Sequence, residues 1–282
     1  TDFREIVIEN FITEYLHGRT PNPCVLCNPN IKFKRLIRHA DEIGAYYIAT
    51  GHYCRILRDE TRQLSYIRRA VNDQKDQSYM LYRLGQDVLS RLIFPLGEFR
   101  SKEKTREVAR DGKLSNADKK DSQEICFIEP EDNYVSYITA VGGTSAPGNF
   151  VDREGRVLGR HKGILHYTIG QRKGLGIALG KPAFVTEIRA ARNEVVLGDN
   201  EELFASEVRS TNHIFADGNP AAYDGKTVFA KVRYSAPPSE AVLHVEGDKI
   251  KTVFAKPQRA MTPGQSIAFY DDDKLLGGGF IE

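Results

Sequence analysis

Gly18–Phe33 reads GRTPNPCVLCNPNIKF. Pro21 and Pro23 stiffen the stretch, Cys24 and Cys27 follow, and Pro29 closes it before Ile31 opens a helical pattern. Read this way, it is a rigid thiol-bearing loop feeding a helix. Phe33, Leu36, Ile37, Ala40 and Ile43 mark one face of that helix, with Asn30 as its cap and Gly44 as its stop. AYYIATGHY (Ala45–Tyr53) then reads as a buried strand ending in Gly51 and His52. A helix followed by a short apolar strand is the grammar of an α/β domain. In open parallel sheets ligands gather at the carboxyl ends of strands, which is where Gly51 and His52 fall.

Upstream, Phe3, Val7 and Phe11 recur at four-residue steps until Gly18 ends the pattern, a helical signature. The chain opens on Thr1 inside that pattern, so the expectation is that further residues precede it. Downstream, CRIL and LSYIRRA flank a polar turn and predict a hairpin. KDQSYMLYRL resumes helical spacing through Val88 and Leu92, and Ser101 caps a helix, KEKTREVARDG, stopped by Gly112. Asp118–Ile128, DKKDSQEICFI, is a polar loop running into an apolar stretch that carries Cys126. The character changes between Glu129 and Asn149, and YTIGQRKGLGI (Tyr167–Ile177) is glycine-rich and basic. From about Phe184 onward alternation dominates and predicts an all-β domain, a small barrel. KTVFAK occurs at Lys226 and again at Lys251; two such copies express similar strand chemistry rather than a repeat architecture.

The 282 residues suffice for two or three domains. Apolar content of 40% and charged content of 28% belong to a globular protein, and no apolar run reaches the length of a membrane span. Net charge is only +2, but Val151–Pro182 carries seven basic residues against two acidic ones, a polyanion face. The cysteines number four: Cys24, Cys27, Cys54 and Cys126. With no secretory leader in view, so few predict a reducing, cytoplasmic setting.

The pair Cys24-x-x-Cys27 suits a metal site, a redox disulfide, or one catalytic thiol with a neighbour. A thioredoxin-type motif places its first cysteine at a helix start, whereas here the pattern predicts a helix that begins several residues later. A zinc ribbon needs a second such pair, which the sequence lacks. Each remaining feature has a bland reading when taken alone: Cys126 and Cys54 as core, His52 as a satisfied strand-end histidine, KDQSY as a helix start.

In order, however, GRTPNPxxxCNxxIKF, ATGHY, KDQSY, FPLGE, KKDSQxICFI, GRHKG and YTIGQRKGLGI, followed by a β-rich end, resemble the bacterial and organellar tRNA-uridine 2-sulfurtransferases along nearly the whole chain. The resemblance implies a truncated Rossmann-like adenine nucleotide α-hydrolase (PP-loop) domain, then a small central domain, then an all-β barrel that grips tRNA. Boundaries are expected at 1–130, 131–204 and 205–282. It implies ATP with Mg2+, adenylation of the C2 oxygen of the wobble uridine, and replacement of that oxygen by a persulfide sulfur. Cys126 matches the persulfide carrier and Cys27 the nucleophile that releases the sulfur. Asn22, Pro23 and Cys24 match the contacts to the target base, Gly51 an ATP contact, and His52, Lys75, Asp76, Gln77, Arg233, Tyr234 and Gln265 contacts to tRNA. The implied partners are tRNA and a persulfide sulfur-donor protein, with no membrane.

Three departures from the family pattern stand out. The SGG-x-DS loop that cradles ATP phosphates is absent, so this chain is expected to be a fragment that does not adenylate tRNA unaided. Cys24 stands where many members have Asp; with Cys27 and Cys126 it makes a possible three-cysteine [4Fe-4S] ligand set, the alternative to the persulfide route. Glu124 stands where Gly is common. Two functions of other classes compete. A pure RNA-binding module predicts that every cysteine is dispensable, and a thiol–disulfide oxidoreductase predicts that only Cys24 and Cys27 matter.

Overall fold

The computed structural model describes residues 2–115, 117–118, 125–129 and 131–282. The quoted stretch is helical where a loop was expected. Asn22 is extended (φ −116°), and α2 (Pro23–Cys27) starts at once with proline at its head. Proline suits that position, since its fixed φ is helical and its missing N–H would be unpaired anyway. Pro29 then falls inside the helix, where it removes a donor and crowds the preceding turn. The chain answers by widening to π-type turns over Asn28–Phe33 before tightening into α3 (Lys34–Glu42). Asn30 therefore lies mid-helix, its amide donating to the Leu26 carbonyl at 2.9 Å. The first helix behaves alike, with wide turns over Arg4–Ile8 leading into α1 (Glu9–Leu16).

The strand read in AYYIATGHY shrinks to β1 (Ile48–Ala49), paired in parallel with β4 (Leu92–Ile93). Tyr46 and Tyr47 are exposed; Arg91 stands 5.3 Å above the first ring and Arg58 5.6 Å above the second. The helical reading of KDQSYMLYRL also gives way, to a single turn at Ser78–Leu81 and a short α4 (Gln86–Leu89). The hairpin β2 (Cys54–Asp59) and β3 (Leu64–Arg69) forms as predicted. So does α5 (Lys102–Asp111), with Ser101 Oγ accepting from Lys104 N.

The central part is a folded unit rather than a linker. Helix α6 (Tyr134–Ala140) precedes a sheet of β5 (Gly148–Val151), β6 (Val157–His161), β7 (Phe184–Arg189) and β8 (Glu194–Gly198), ordered β6-β5-β8-β7. Phe150, Tyr167, Leu175, Val185 and Val195 fill its core. The glycine-rich phrase is laced to β7, with Gly170 N donating to Val185 O and Val185 N to Gln171 O. Gly170 takes φ 90°, a conformation that a side chain would oppose.

The C-terminal strands close into a barrel. β9 (Phe204–Phe215), β10 (Thr227–Lys231), β11 (Ser239–Glu246), β12 (Lys249–Arg259), β13 (Ser266–Asp271) and β14 (Lys274–Ile281) run β10-β11-β12-β9-β14-β13, and β13 returns to β10. Closure leaves these strands no free edge. Leu243, Ile250, Ile267, Phe269 and Ile281 fill its interior.

The barrel does not stand apart from the first region. Hairpin β2–β3 joins its sheet through Arg68 opposite Lys274, where Asp273 accepts from Arg55 at 2.7 Å and from Arg68 at 2.9 Å. One apolar cluster runs across the junction, from Val25, Phe33, Ile48, Tyr79 and Leu92 to Ala268, Tyr270 and Leu275. Each large side chain fully buried there contributes about 1.5–3 kcal/mol.

Candidate functional site

Three contacts fix the cysteine-bearing helix. Thr20 N donates to the Pro263 carbonyl at 2.8 Å, and Gln265 Nε2 donates to the Thr20 carbonyl, also at 2.8 Å. Below the second cysteine, buried Asn28 donates to the Met80 carbonyl at 3.0 Å. Pro23 is buried and so supports the helix start by packing. Asn22 lines a cavity of about 260 Å³ with Glu14, Arg19, Leu26, Asn212 and Phe280, between the first helix and the barrel.

Cys24 and Cys27 are half-buried. Cys24 stands in the first turn of α2, so a helix starts at this motif where the sequence predicted a loop. Burial pushes both thiols above their ordinary range. Lys32 draws both back down, and Cys126 pushes both up further. The wide turns of Asn28–Phe33 carry Lys32; at about 4.4 residues per turn, a residue five on from Cys27 comes back close to its face.

Cys126 thus lies within electrostatic reach of both other thiols, and it is exposed rather than core. Its neighbours hold it there. Ile128 is buried with Phe11, Ile138 and Leu165, and Ile125 packs on the same cluster. The Phe127 ring meets Phe11 edge-on at 5.3 Å and Phe3 at 5.8 Å. Cys54, by contrast, is buried in the core, and burial pushes its thiol well up. Glu124 lies outside the described residues.

Gly51 is exposed just past β1. His52 Nδ1 lies 2.8 Å from Thr50 Oγ1, and its ring stacks on Phe33 at 5.7 Å. Burial, then Lys32, lowers its pKa to about 4, which leaves the imidazole neutral at pH 7. Gln77 clasps this loop in both directions: Tyr53 N donates to its Oε1 at 2.9 Å, and its own N donates to the Tyr53 carbonyl at 2.8 Å. Asp76 is buried. Its carboxylate accepts from Ala70 N at 3.1 Å and Ser78 Oγ at 2.8 Å, with Arg69 at 3.7 Å. Asp76 therefore shapes this loop from beneath, whereas Lys75 is half-buried at its surface. In the barrel, Arg233 reaches toward the Arg259 carbonyl at 3.4 Å, and Tyr234 is exposed.

The expected residues thus gather into two groups. Asn22, Pro23, Cys24, Cys27 and Cys126 form one, with Gln265 bracing its entry. Lys75–Gln77 and Arg233–Tyr234 form the other, meeting where the Tyr79 and Tyr234 rings stand 6.3 Å apart. The Gly51–His52 corner joins them through Phe33 and Gln77. Sequence reading missed Asn28, Lys32 and Lys231. The first had a signal, a polar residue interrupting an apolar helix face; the other two resembled ordinary surface lysines.

Among the described residues no three His, Cys, Asp or Glu side chains are grouped to hold a metal ion. Cys24, Cys27 and Cys126 as they stand therefore do not fit the ligand set of an iron–sulfur cluster. No helix among the described residues is long and apolar enough to cross a membrane.

A nucleotide-hydrolase-like α/β region with converging thiols, a small central barrel-type domain and a closed β-barrel define a three-part enzyme architecture. Family comparison agrees. Residues 1–130 match a model described as the tRNA methyl transferase HUP domain, 136–199 the corresponding PRC-barrel domain, and 207–281 an aminomethyltransferase β-barrel domain. The tRNA-specific 2-thiouridylase MnmA of Clostridium acetobutylicum is 48% identical over 282 residues, covering 99% of this chain and 78% of the relative. Its counterpart in Carboxydothermus hydrogenoformans is 48% identical over 289 residues (100% and 78%), and that in Clostridioides difficile 47% over 284 (99% and 77%). The chain belongs to the tRNA-specific 2-thiouridylase family, a family of sulfurtransferases.

Proposed function

We propose that the chain serves ATP-dependent 2-thiolation of the wobble uridine of tRNA, in the cytoplasm and with a persulfide-bearing protein as sulfur donor. ATP with Mg2+ activates the C2 oxygen by adenylation, with Gly51 at the nucleotide. The terminal sulfur of a Cys126 persulfide attacks C2, and AMP leaves with the oxygen. The Cys27 thiolate then attacks Cys126 Sγ. The S–S bond to the transferred sulfur breaks, 2-thiouridine departs, and a Cys27–Cys126 disulfide remains for an external dithiol to reduce. Asn22, Pro23 and Cys24 face the base; His52, Lys75, Gln77, Arg233, Tyr234 and Gln265 serve the RNA directly or by bracing, and Asp76 from beneath.

The observation that supports this reading most is that Cys126, remote in sequence, comes within electrostatic reach of Cys24 and Cys27. The test is single-turnover thiolation of tRNA in a preparation competent for ATP-dependent turnover, read as 2-thiouridine by mass spectrometry. Cys126→Ser and Cys27→Ser should each lower product at least about 10³-fold, as loss of a nucleophile does. The Cys27–Cys126 disulfide should accumulate in stoichiometry with product when reductant is withheld. Full thiolation by Cys27→Ser would overturn the release step.

A further inference from the structure

Lys231 ends β10 and is only 5% exposed. Lysine is rarely so buried without partners. Its ammonium stands 5.9 Å from the Tyr79 ring and 5.8 Å from the Tyr234 ring, both within cation–π reach. The two rings differ in exposure. Tyr79 is fully buried and its hydroxyl donates to the Ser266 carbonyl at 2.7 Å. Tyr234 is 42% exposed. The lysine thus bridges a buried, hydrogen-bonded ring and a ring that faces solvent. The charged groups around it are Asp76, Arg69 and Asp73, of which Asp76 belongs to the Lys75–Gln77 stretch.

We propose that Lys231 is a positioning residue for RNA: it holds the exposed Tyr234 ring as a stacking platform beside Lys75–Gln77 without touching RNA itself. The inference rests on the tRNA reading above. A methionine would fill the same space at lower desolvation cost, but it would not draw two aromatic faces onto one point. Aromatic side chains held in one orientation stack on exposed bases, the usual mode of single-strand RNA recognition. A buried ammonium releases no counterion from a phosphate, so its effect on binding should be independent of salt.

The experiment is equilibrium tRNA binding across a salt series, with folding checked by circular dichroism and melting. Lys231→Met should weaken binding about tenfold, the worth of one modestly stacked base, with an unchanged salt slope. Arg233→Gln should instead lower the slope by about one. Tyr234→Leu should cost about as much as Lys231→Met, and the double variant no more than Tyr234→Leu alone, since both remove the same platform. Lys231→Gln serves where the methionine variant does not fold. Unchanged binding by the folded variant, a slope lowered by one, or losses that multiply in the double variant would each overturn the inference while leaving the tRNA reading intact. Failure of the unsubstituted chain to bind tRNA would overturn both.

Discussion

Pro23–Cys27 and Ile125–Ile128 bring their thiols within electrostatic reach of one another, by different means. The first is gripped by hydrogen bonds at either end: the Thr20 backbone by Pro263 and Gln265, and the following turn by the Asn28 side chain on Met80. Its sulfurs are half-buried and their pKa is raised. The second is held by side chains on either side of the cysteine, with Phe127 and Ile128 in an aromatic-rich cluster while Cys126 is exposed. The difference teaches how a sulfur can be both delivered and released. Under the proposed mechanism, a carrier thiol that meets a donor from outside gains from exposure, and a releasing thiol gains from the half-buried setting that raises its pKa.

The contrast breaks most easily at reactivity. Iodoacetamide at pH 7 should modify Cys126 at least about 100-fold faster than Cys54, with Cys24 and Cys27 between them, because exposure and thiolate fraction both enter the rate. Peptide mapping by mass spectrometry gives the order, and labelling of Cys27 ahead of Cys126 would reverse the assignment of exposed and half-buried thiols.

Packing is the next lever. Phe127→Ala removes the edge contacts to Phe3 and Phe11 and should cost about 2 kcal/mol of stability, less than a fully buried phenylalanine. It should leave Cys27 alkylation unchanged, since only the presented segment loses its anchor. Asn28→Ala should do the converse at about 1 kcal/mol. It loses the bond to Met80, but Asn28 Oδ1 is already buried without a partner, so part of the loss is returned. Urea melts measure both, and the thiol that speeds up identifies the segment loosened.

The contrast can also be approached through pH dependence. His52 and His213 titrate at about 4 in the fold, chiefly through burial, against an ordinary value of 6.5. Between those values the unfolded chain binds the extra protons, so stability rises with pH. Their contribution is complete above about pH 6.5 and is lost as pH falls through about 4. His52→Gln should flatten that slope in melts taken from pH 7 to pH 4.5, and an unaltered slope would show that its burial is incidental.

Legibility differed from region to region. Barrel strands such as β10 and β11 could be read because alternation is local: each shows its own buried face, as in Val228 and Ala230 or Ala241 and Leu243. Helix α5 announced itself through Ser101 and Gly112. PNPCVLCN was misread because proline is equally a loop stiffener and the best opener of a helix. AYYIATGHY was misread because tyrosines count as apolar, while here arginines cover their exposed faces. The meeting of KDQSY with KVRYS had no local signal at all.

The chain's periodicities and turn residues, by themselves, determined a mixed first region, a glycine-laced middle and a strand-built end, and its phrases determined the family. Tertiary structure alone decided that Cys126 is exposed and Cys27 half-buried, that Asp76 lies beneath the surface, and that Lys231 joins two distant motifs. The physical reason is range. Backbone preference and alternation act over a few residues, whereas the convergence of remote side chains depends on which apolar faces find each other across the shared core.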